Sequence, residues 1–166
     1  MIIARRNRRR LLQRGGRECH PESYRNLVGM HLGFFASLLL ESHPWGVPLD
    51  PLTWSCLAAL VLLQILRYWC VVSLGDFWNT RIIVVPGAAV RRVGPYRWLR
   101  HPNYLAVTLE IFFIPLLMRA PFTLLFFSLA NLVLLRQRIR LEEKALRQHT
   151  DYGERFDDPE KIDSEA

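Results

Sequence analysis

The chain has 166 residues, enough for one domain and too few for two sizeable ones. Hydrophobic residues make up 51% and charged residues 22%, and the two classes fall in separate blocks, the pattern of a membrane protein. The net charge of +7 is almost all arginine, but the arginines flank apolar runs as cytoplasmic borders of transmembrane helices do, which argues against nucleic acid as a partner.

Residues 4–25 carry eight arginines against Glu18 and Glu22, with Gly15-Gly16 as a break. This reads as a basic, solvated juxtamembrane segment (1–25) drawn to anionic headgroups; a nucleic-acid arm is the alternative. Only Met1-Ile2-Ile3 is apolar at the start, so no cleavable signal peptide is visible. Leu27 to Leu40 is apolar with His31 as its one strongly polar side chain. Its length of roughly 21 Å as a helix falls short of a ~30 Å hydrocarbon core unless it extends toward Tyr24 and Ser42. A loop from Glu41 to Pro51 follows, without lysine or arginine.

Thr53 to Leu74 is the strongest transmembrane candidate, interrupted by Gln64 and Arg67. Arg67 either snorkels to the interface beside Tyr68 and Trp69 or faces a site. Cys56 and Cys70 lie in apolar runs and act as small hydrophobes; with Cys19 they lack metal or redox spacing, and no disulfide framework is expected.

The connection from Gly75 to Pro102 holds five arginines and one acid, Asp76. Its Arg81–Gly87 stretch reads as a short strand or extended segment, and Pro86-Gly87 and Gly94-Pro95 as turns. Tyr104–Met118 and Phe122–Leu135 form a hairpin of two short apolar helices around Arg119-Ala120-Pro121, with Pro115 placed to kink the first. From Leu135 to His149 the pattern becomes amphipathic, with Leu135, Ile139, Glu142 and Leu146 near one face. The residues from 157 form an acidic tail.

The fold expected is therefore an all-α integral membrane protein of about four apolar helices. It includes a short C-terminal hairpin, then an amphipathic cytoplasmic helix, with the membrane-embedded domain over 26–156. All three basic segments fall on one side, which the positive-inside rule makes cytoplasmic.

Candidate chemistry collects at that boundary. Arg97 and Arg100 offer donor forks for a carboxylate or phosphate. Tyr96, Trp98 and Tyr104 offer aromatic faces for a heterocycle or a cation. His101 can donate and accept a proton, and Glu110 is a carboxylate within an apolar helix. Glu142 and Glu143 either serve a ligand or pair with Arg138 and Arg147 at helical spacing. No dinucleotide fingerprint, Walker loop or zinc motif is present.

Gly94-Pro-Tyr-Arg-Trp-Leu-Arg-His-Pro-Asn-Tyr104, the hairpin, Arg138-Ile-Arg-Leu-Glu-Glu143 and Tyr152 resemble the isoprenylcysteine carboxyl methyltransferase family. The resemblance extends over about 5–156 through Leu66-Arg-Tyr-Trp-Cys70 and Leu74–Ile82. It is closest to the small bacterial branch linked to O-methylation of alkylpyrone-type lipids from type III polyketide synthases. It implies an integral membrane methyltransferase using S-adenosylmethionine without a Rossmann domain, its pocket cytoplasmic and its lipid acceptor entering laterally.

Carried over by position, Tyr96, Arg97, Arg100, His101, Tyr104, Glu142 and Glu143 hold the cofactor. Glu110, Arg138 and Glu142 are the catalytic candidates, and Arg67, Asn79 and Arg81 bind the acceptor. Relatives start with a further apolar helix, of which only Met1-Ile2-Ile3 remains, so the start is expected to be truncated or misassigned; Ala106 lies where the family carries glycine. The acceptor is an isoprenylcysteine-like carboxylate or an alkylpyrone or alkylresorcinol hydroxyl. A membrane reductase using a nicotinamide cofactor shares the Arg-His-Pro-x-Tyr segment and is the enzymatic alternative. A non-catalytic membrane adaptor is the other.

Overall fold

The structure, a computed structural model, describes residues 2–44 and 46–157. The tail expected beyond Asp157 lies outside the described residues. The chain is mostly helical: α1 (Ile2–Gln13), β1 (Arg17–Cys19), α2 (Pro21–Glu41), α3 (Pro51–Leu74), β2 (Ile82–Val84), α4 (Pro102–Leu117), α5 (Pro121–His149) and α6 (Tyr152–Asp157), with 3₁₀ turns at Gly75–Phe77 and Gly94–Arg97.

Local chemistry sets these boundaries. Asp50, in extended conformation, caps α3 by accepting from the Thr53 N–H at 2.8 Å, and Pro51 fills the first helical position, where a missing N–H costs nothing. α4 closes through a chain reversal in which Arg119 takes a left-handed φ of 55° and the Ala120 N–H donates to the Pro115 carbonyl at 2.9 Å. α5 has only Ala120 at its capping position. The cap comes from elsewhere: both Glu41 carboxylate oxygens, at the end of α2, accept from the Phe122 and Thr123 N–H groups at 2.7 Å each. An Arg119–Asp50 ion pair ties the α4–α5 turn to the start of α3.

α4 packs between α3 and α5, and α2 lies along α5. The inter-helix core joins Met30, Phe34 and Leu38 of α2 to Ile111 of α4 and to Ala120 and Phe127 beside and within α5. Phe34 and Phe127 meet edge to face at 5.7 Å. Outward faces stay apolar: Leu32, Phe35, Leu62, Ile65, Leu125 and Leu129 are all exposed.

Among the described residues, two helices are long and apolar enough to cross a bilayer: Pro51–Phe77, continuing α3 through its 3₁₀ turn, and α5. Only 11% of the apolar window in the first is buried within the chain, unlike the core helix of a soluble protein. α4 is apolar but has 16 residues, about 24 Å at ~1.5 Å per residue.

Three expectations need correction. The chain is not purely helical: β1 and β2 pair antiparallel, Arg17 opposite Val84 and Cys19 opposite Ile82. Ile82 and Val84 then pack on Ala145 of α5, giving this ribbon its own small core. The hairpin's second arm and the amphipathic segment are one unbroken 29-residue helix, because no glycine or proline interrupts it after Pro121. Finally, the basic segment is not simply solvated. Ala4, Asn7 and Leu11 lie on one face of α1 and are buried, and the Asn7 amide donates to the Gly75 and Trp78 carbonyls at 2.8 Å each.

Candidate active site

Gly94 seats the Gly94–Tyr104 segment. Its φ is 56°, and a Cβ there would lie 2.0 Å from the Ser73 Oγ and 2.9 Å from the Trp69 Nε1 of α3. The turn therefore rests directly on α3 and buries Pro95 and Tyr96 beneath it. Pro102 then opens α4, with His101 in the flanking position and Tyr104 in the first turn, both beside the C-terminal half of α5.

Two parallel connections join these helices. Tyr104 donates its hydroxyl proton to Glu142 at 2.5 Å and accepts from Arg138 Nε at 2.9 Å. His101 Nε2 lies 3.0 Å from Glu143 Oε1, and the Tyr152 hydroxyl donates to that same oxygen at 3.1 Å. The His101 and Tyr104 rings stack, with centroids 5.4 Å apart and planes 23° off parallel. Arg138, only 3% exposed, also donates from NH1 to Ser23 Oγ at 3.1 Å and from NH2 to the Thr80 carbonyl at 2.7 Å. One buried guanidinium thus gathers α2, the 75–84 connection and α4 around α5.

Above this network lies a cleft whose empty volume, open mouth included, is about 970 Å³. Ile83, Val84, Val85 and Leu146 form an apolar side. Tyr96, Tyr104, Tyr152, Phe156 and Trp78 contribute aromatic surface, and Glu142, His101, Arg91, Arg100 and Asn103 contribute polar or charged groups. Burial pushes the Tyr96 phenol well above its ordinary value, reinforced by Cys70 and Glu142. Burial, then the Glu143 charge, does the same for Tyr152. Both hydroxyls therefore stay protonated and act as donors at neutral pH. Asn103 Oδ1 and Trp78 Nε1, on two residues of the cleft wall, are buried without a hydrogen-bond partner among the described residues.

Of the residues expected at the site, Tyr96, Arg100, His101, Tyr104 and Glu142 line this cleft, and Glu143 braces His101 behind it. Arg97 is exposed and is not among the lining residues. Arg138 stands behind Tyr104, not in the cleft wall.

Glu110 is also outside the cleft. Its two oxygens accept from Gln64 Nε2 at 2.7 Å and Arg67 NH1 at 2.5 Å, so it is half of a charged clamp between α3 and α4. That resolves Arg67 too, which faces a protein carboxylate. Asn79 and Arg81 lie on a separate cavity beside α1.

Trp78, Arg91, Asn103 and Phe156 were missed as cleft residues, and Tyr152 was noted only within the family pattern. Asn103 sat in plain view inside the Arg-His-Pro-Asn-Tyr segment. α6, which brings in Tyr152 and Phe156, left no comparable signal.

No solved structure matches this chain. The chain is 43% identical to the uncharacterized protein YpbQ of Bacillus subtilis, over 90% of its own length and 89% of that protein's. It is 23% identical to an uncharacterized Haemophilus influenzae protein, over 88% and 86% of the two lengths. The model of the isoprenylcysteine carboxyl methyltransferase (ICMT) family matches residues 56–148, from the middle of α3 to the end of α5, the stretch holding the His101–Glu143 and Tyr104–Glu142 pairs. With more than half its length matched, the chain belongs to the isoprenylcysteine carboxyl methyltransferase family, a family of membrane methyltransferases.

Proposed function

We propose that this protein is an S-adenosylmethionine-dependent O-methyltransferase acting on a lipophilic acceptor, with its cleft and basic segments on the cytoplasmic face. One observation carries the reading: the paired contacts that bring the Arg-His-Pro-Asn-Tyr segment against the adjacent glutamates of α5 in a single cleft wall. S-adenosylmethionine, when bound, supplies an electrophilic sulfonium methyl for displacement by an acceptor oxygen.

The residues present fit such a group. Arg91 and Arg100 provide guanidinium forks for its carboxylate. The stacked His101 and Tyr104 rings give a π-face to a cation. The unpartnered Asn103 Oδ1 accepts from an amine or hydroxyl, and Trp78 Nε1 donates to a heterocycle nitrogen. Tyr104 engages Glu142 Oε2, and among the described residues this leaves Oε1 for a positive charge or a hydroxyl proton.

The acceptor decides whether a base is needed. A carboxylate attacks as it stands, and the chain's task is to hold it at near-attack distance with water excluded. An enolic or phenolic hydroxyl must lose its proton, and Glu142 is the carboxylate in the cleft wall that can take it. Exposed Trp98, Leu99 and Leu105, flanking the start of α4, support an acceptor with a long apolar tail that arrives from the bilayer.

The test is calorimetric titration of the purified protein in detergent with S-adenosylmethionine and with NADPH, followed by transfer of labelled methyl to an alkylpyrone, an alkylresorcinol and a prenylated cysteine. Saturable binding of S-adenosylmethionine, with label on one acceptor class, is expected. Binding of NADPH alone would overturn the reading.

A further inference from the structure

A second cavity lies between α1, the first turn of α2 and residues 79–81, with about 880 Å³ of empty space including its open side. Arg5, Arg8, Arg9 and Arg81 all line it, joined by Tyr24 and Asn79. None of these residues lines the methyltransferase cleft.

The arrangement is built rather than incidental. Asn79 donates from its amide to the Ala4 carbonyl at 3.1 Å and accepts from the Arg81 N–H at 3.0 Å, fixing α1 against this segment. The Arg81 guanidinium lies over the Tyr24 ring, 4.4 Å from its centroid, which sets the plane of its donor fork. Glu18 pairs with both Arg8 and Arg81. Arg5 and Arg9 have no carboxylate partner among the described residues, and both are exposed. Four guanidinium groups thus converge on one space with a single carboxylate among them.

Such an excess of guanidinium donors matches an anion with several acceptor oxygens. The membrane supplies the second half of the argument. Tyr24 sits near the start of α2, and one turn further the helix begins to expose apolar side chains, with Val28, Leu32 and Phe35 being 37%, 67% and 51% exposed. Ile2 and Ile3 of α1 are likewise 85% and 44% exposed. The cavity therefore lies where apolar surface gives way to arginine, the depth of lipid headgroups.

We propose that this cavity binds the phosphodiester headgroup of an anionic phospholipid, with Arg5 and Arg9 supplying the uncompensated charge and Arg81, held on Tyr24, orienting the phosphate. The site is independent of the methyltransferase reading and stands or falls separately from it.

The test is calorimetric titration of the full chain in nonionic detergent with dihexanoyl-phosphatidylglycerol, dihexanoyl-phosphatidylcholine and inorganic phosphate. The variants are Arg5→Gln/Arg9→Gln and, as a control on exposed arginines of α5, Arg136→Gln/Arg140→Gln. Saturable phosphatidylglycerol binding is expected, falling by about tenfold or more in Arg5→Gln/Arg9→Gln and unchanged in the control. Equal affinity for phosphatidylcholine, or equal losses in the two double variants, would overturn the proposal. Inorganic phosphate binding as tightly as the lipid would mark a free-anion site and refute the lipid assignment. If Arg5→Gln/Arg9→Gln does not purify folded, the wild-type selectivity for phosphatidylglycerol and its loss with rising salt decide the question alone.

Discussion

Tyr104→Phe removes one oxygen atom and tests the central network directly. The ring, and with it the 5.4 Å stack on His101, can stay in place. What goes is an acceptor for Arg138 Nε at 2.9 Å and a donor to Glu142 at 2.5 Å. Arg138 is 3% exposed, so water cannot replace the lost partner without local opening. A buried donor left unmade costs about 1–3 kcal/mol, and more when it is charged, while a hydrogen bond to a charged acceptor contributes about 1.5–3 kcal/mol. The Ser23 and Thr80 contacts remain and hold the guanidinium in place, which puts the expected loss of stability near 2–4 kcal/mol rather than the full sum. Glu142→Gln keeps the shape and loses the charge. Denaturant unfolding of the detergent-solubilised protein, followed by tryptophan fluorescence, gives the four corners of a double-mutant cycle. A coupling of about 1 kcal/mol or more is expected for Tyr104→Phe with Glu142→Gln. Additivity within about 0.5 kcal/mol would refute the idea that Tyr104 links Arg138 to Glu142.

Three further outcomes follow from single contacts. Glu110→Gln removes the charged partner of Arg67, whose side chain is 36% exposed, and should destabilise by about 1–3 kcal/mol, whereas Arg67→Met/Glu110→Leu should restore most of that loss and retain methyl transfer; an inactive but stable double variant would show that the Arg67–Glu110 pair takes part in the reaction after all. Glu41→Ala, which uncaps α5, should cost about 1–2 kcal/mol, read as a lower thermal midpoint, and an unchanged midpoint would show that water caps the helix equally well. Burial raises the Glu18 carboxyl, but hydrogen bonds from Arg81 and Arg8 outweigh it and hold the group below its ordinary value. Its stabilisation is therefore fully present above about pH 4.3 and lost as pH falls through the depressed folded value, so Glu18→Gln should flatten the acid end of a stability-versus-pH curve.

What the sequence revealed, and what it hid, divides along the range of the interactions. α3 was legible because a 24-residue apolar block between Pro51 and Gly75 needs no partner to be recognised. The α4–α5 reversal was legible for the same reason, since Arg119-Ala120-Pro121 breaks a hydrophobic run. The β1–β2 ribbon was only half legible: Arg81–Gly87 reads as a short strand or extended segment, but three residues at Arg17–Cys19 carry too little periodicity to mark its partner, and the pairing joins Arg17 to Val84 across most of the first half of the chain. Glu110 shows the limit most clearly. From sequence it was an unpaired carboxylate in an apolar helix, which reads as functional; Gln64 and Arg67, on another helix, turn it into a satisfied clamp. The His101, Tyr104, Glu142 and Glu143 cluster was found through the family pattern. Composition and spacing alone favoured the bland reading of two helix-surface glutamates.

The continuity of α5 gives that cluster its mechanical sense. The helix that passes the apolar belt at Leu125 and Leu129 also carries Arg138, Glu142 and Glu143, without a joint between them. Arg138 makes no direct ion pair within the described contacts; its partners are a phenol, a serine hydroxyl and a backbone carbonyl. A guanidinium keeps its charge when buried, and hydrogen bonds in series polarise one another, so a carboxylate can help to offset it through a shared phenol. Tyr104 is that phenol, and Glu142 is the carboxylate behind it. The same carboxylate that faces the cleft therefore also offsets a buried cation at the junction of α2, α4 and α5. A loss of activity in Glu142→Gln cannot by itself identify a catalytic base, because the variant disturbs Arg138 as well. Arg138→Gln separates the two roles: a slackened scaffold with Glu142 still in the cleft should weaken stability more than turnover per folded molecule, and the reverse pattern would give Arg138 a direct part in catalysis.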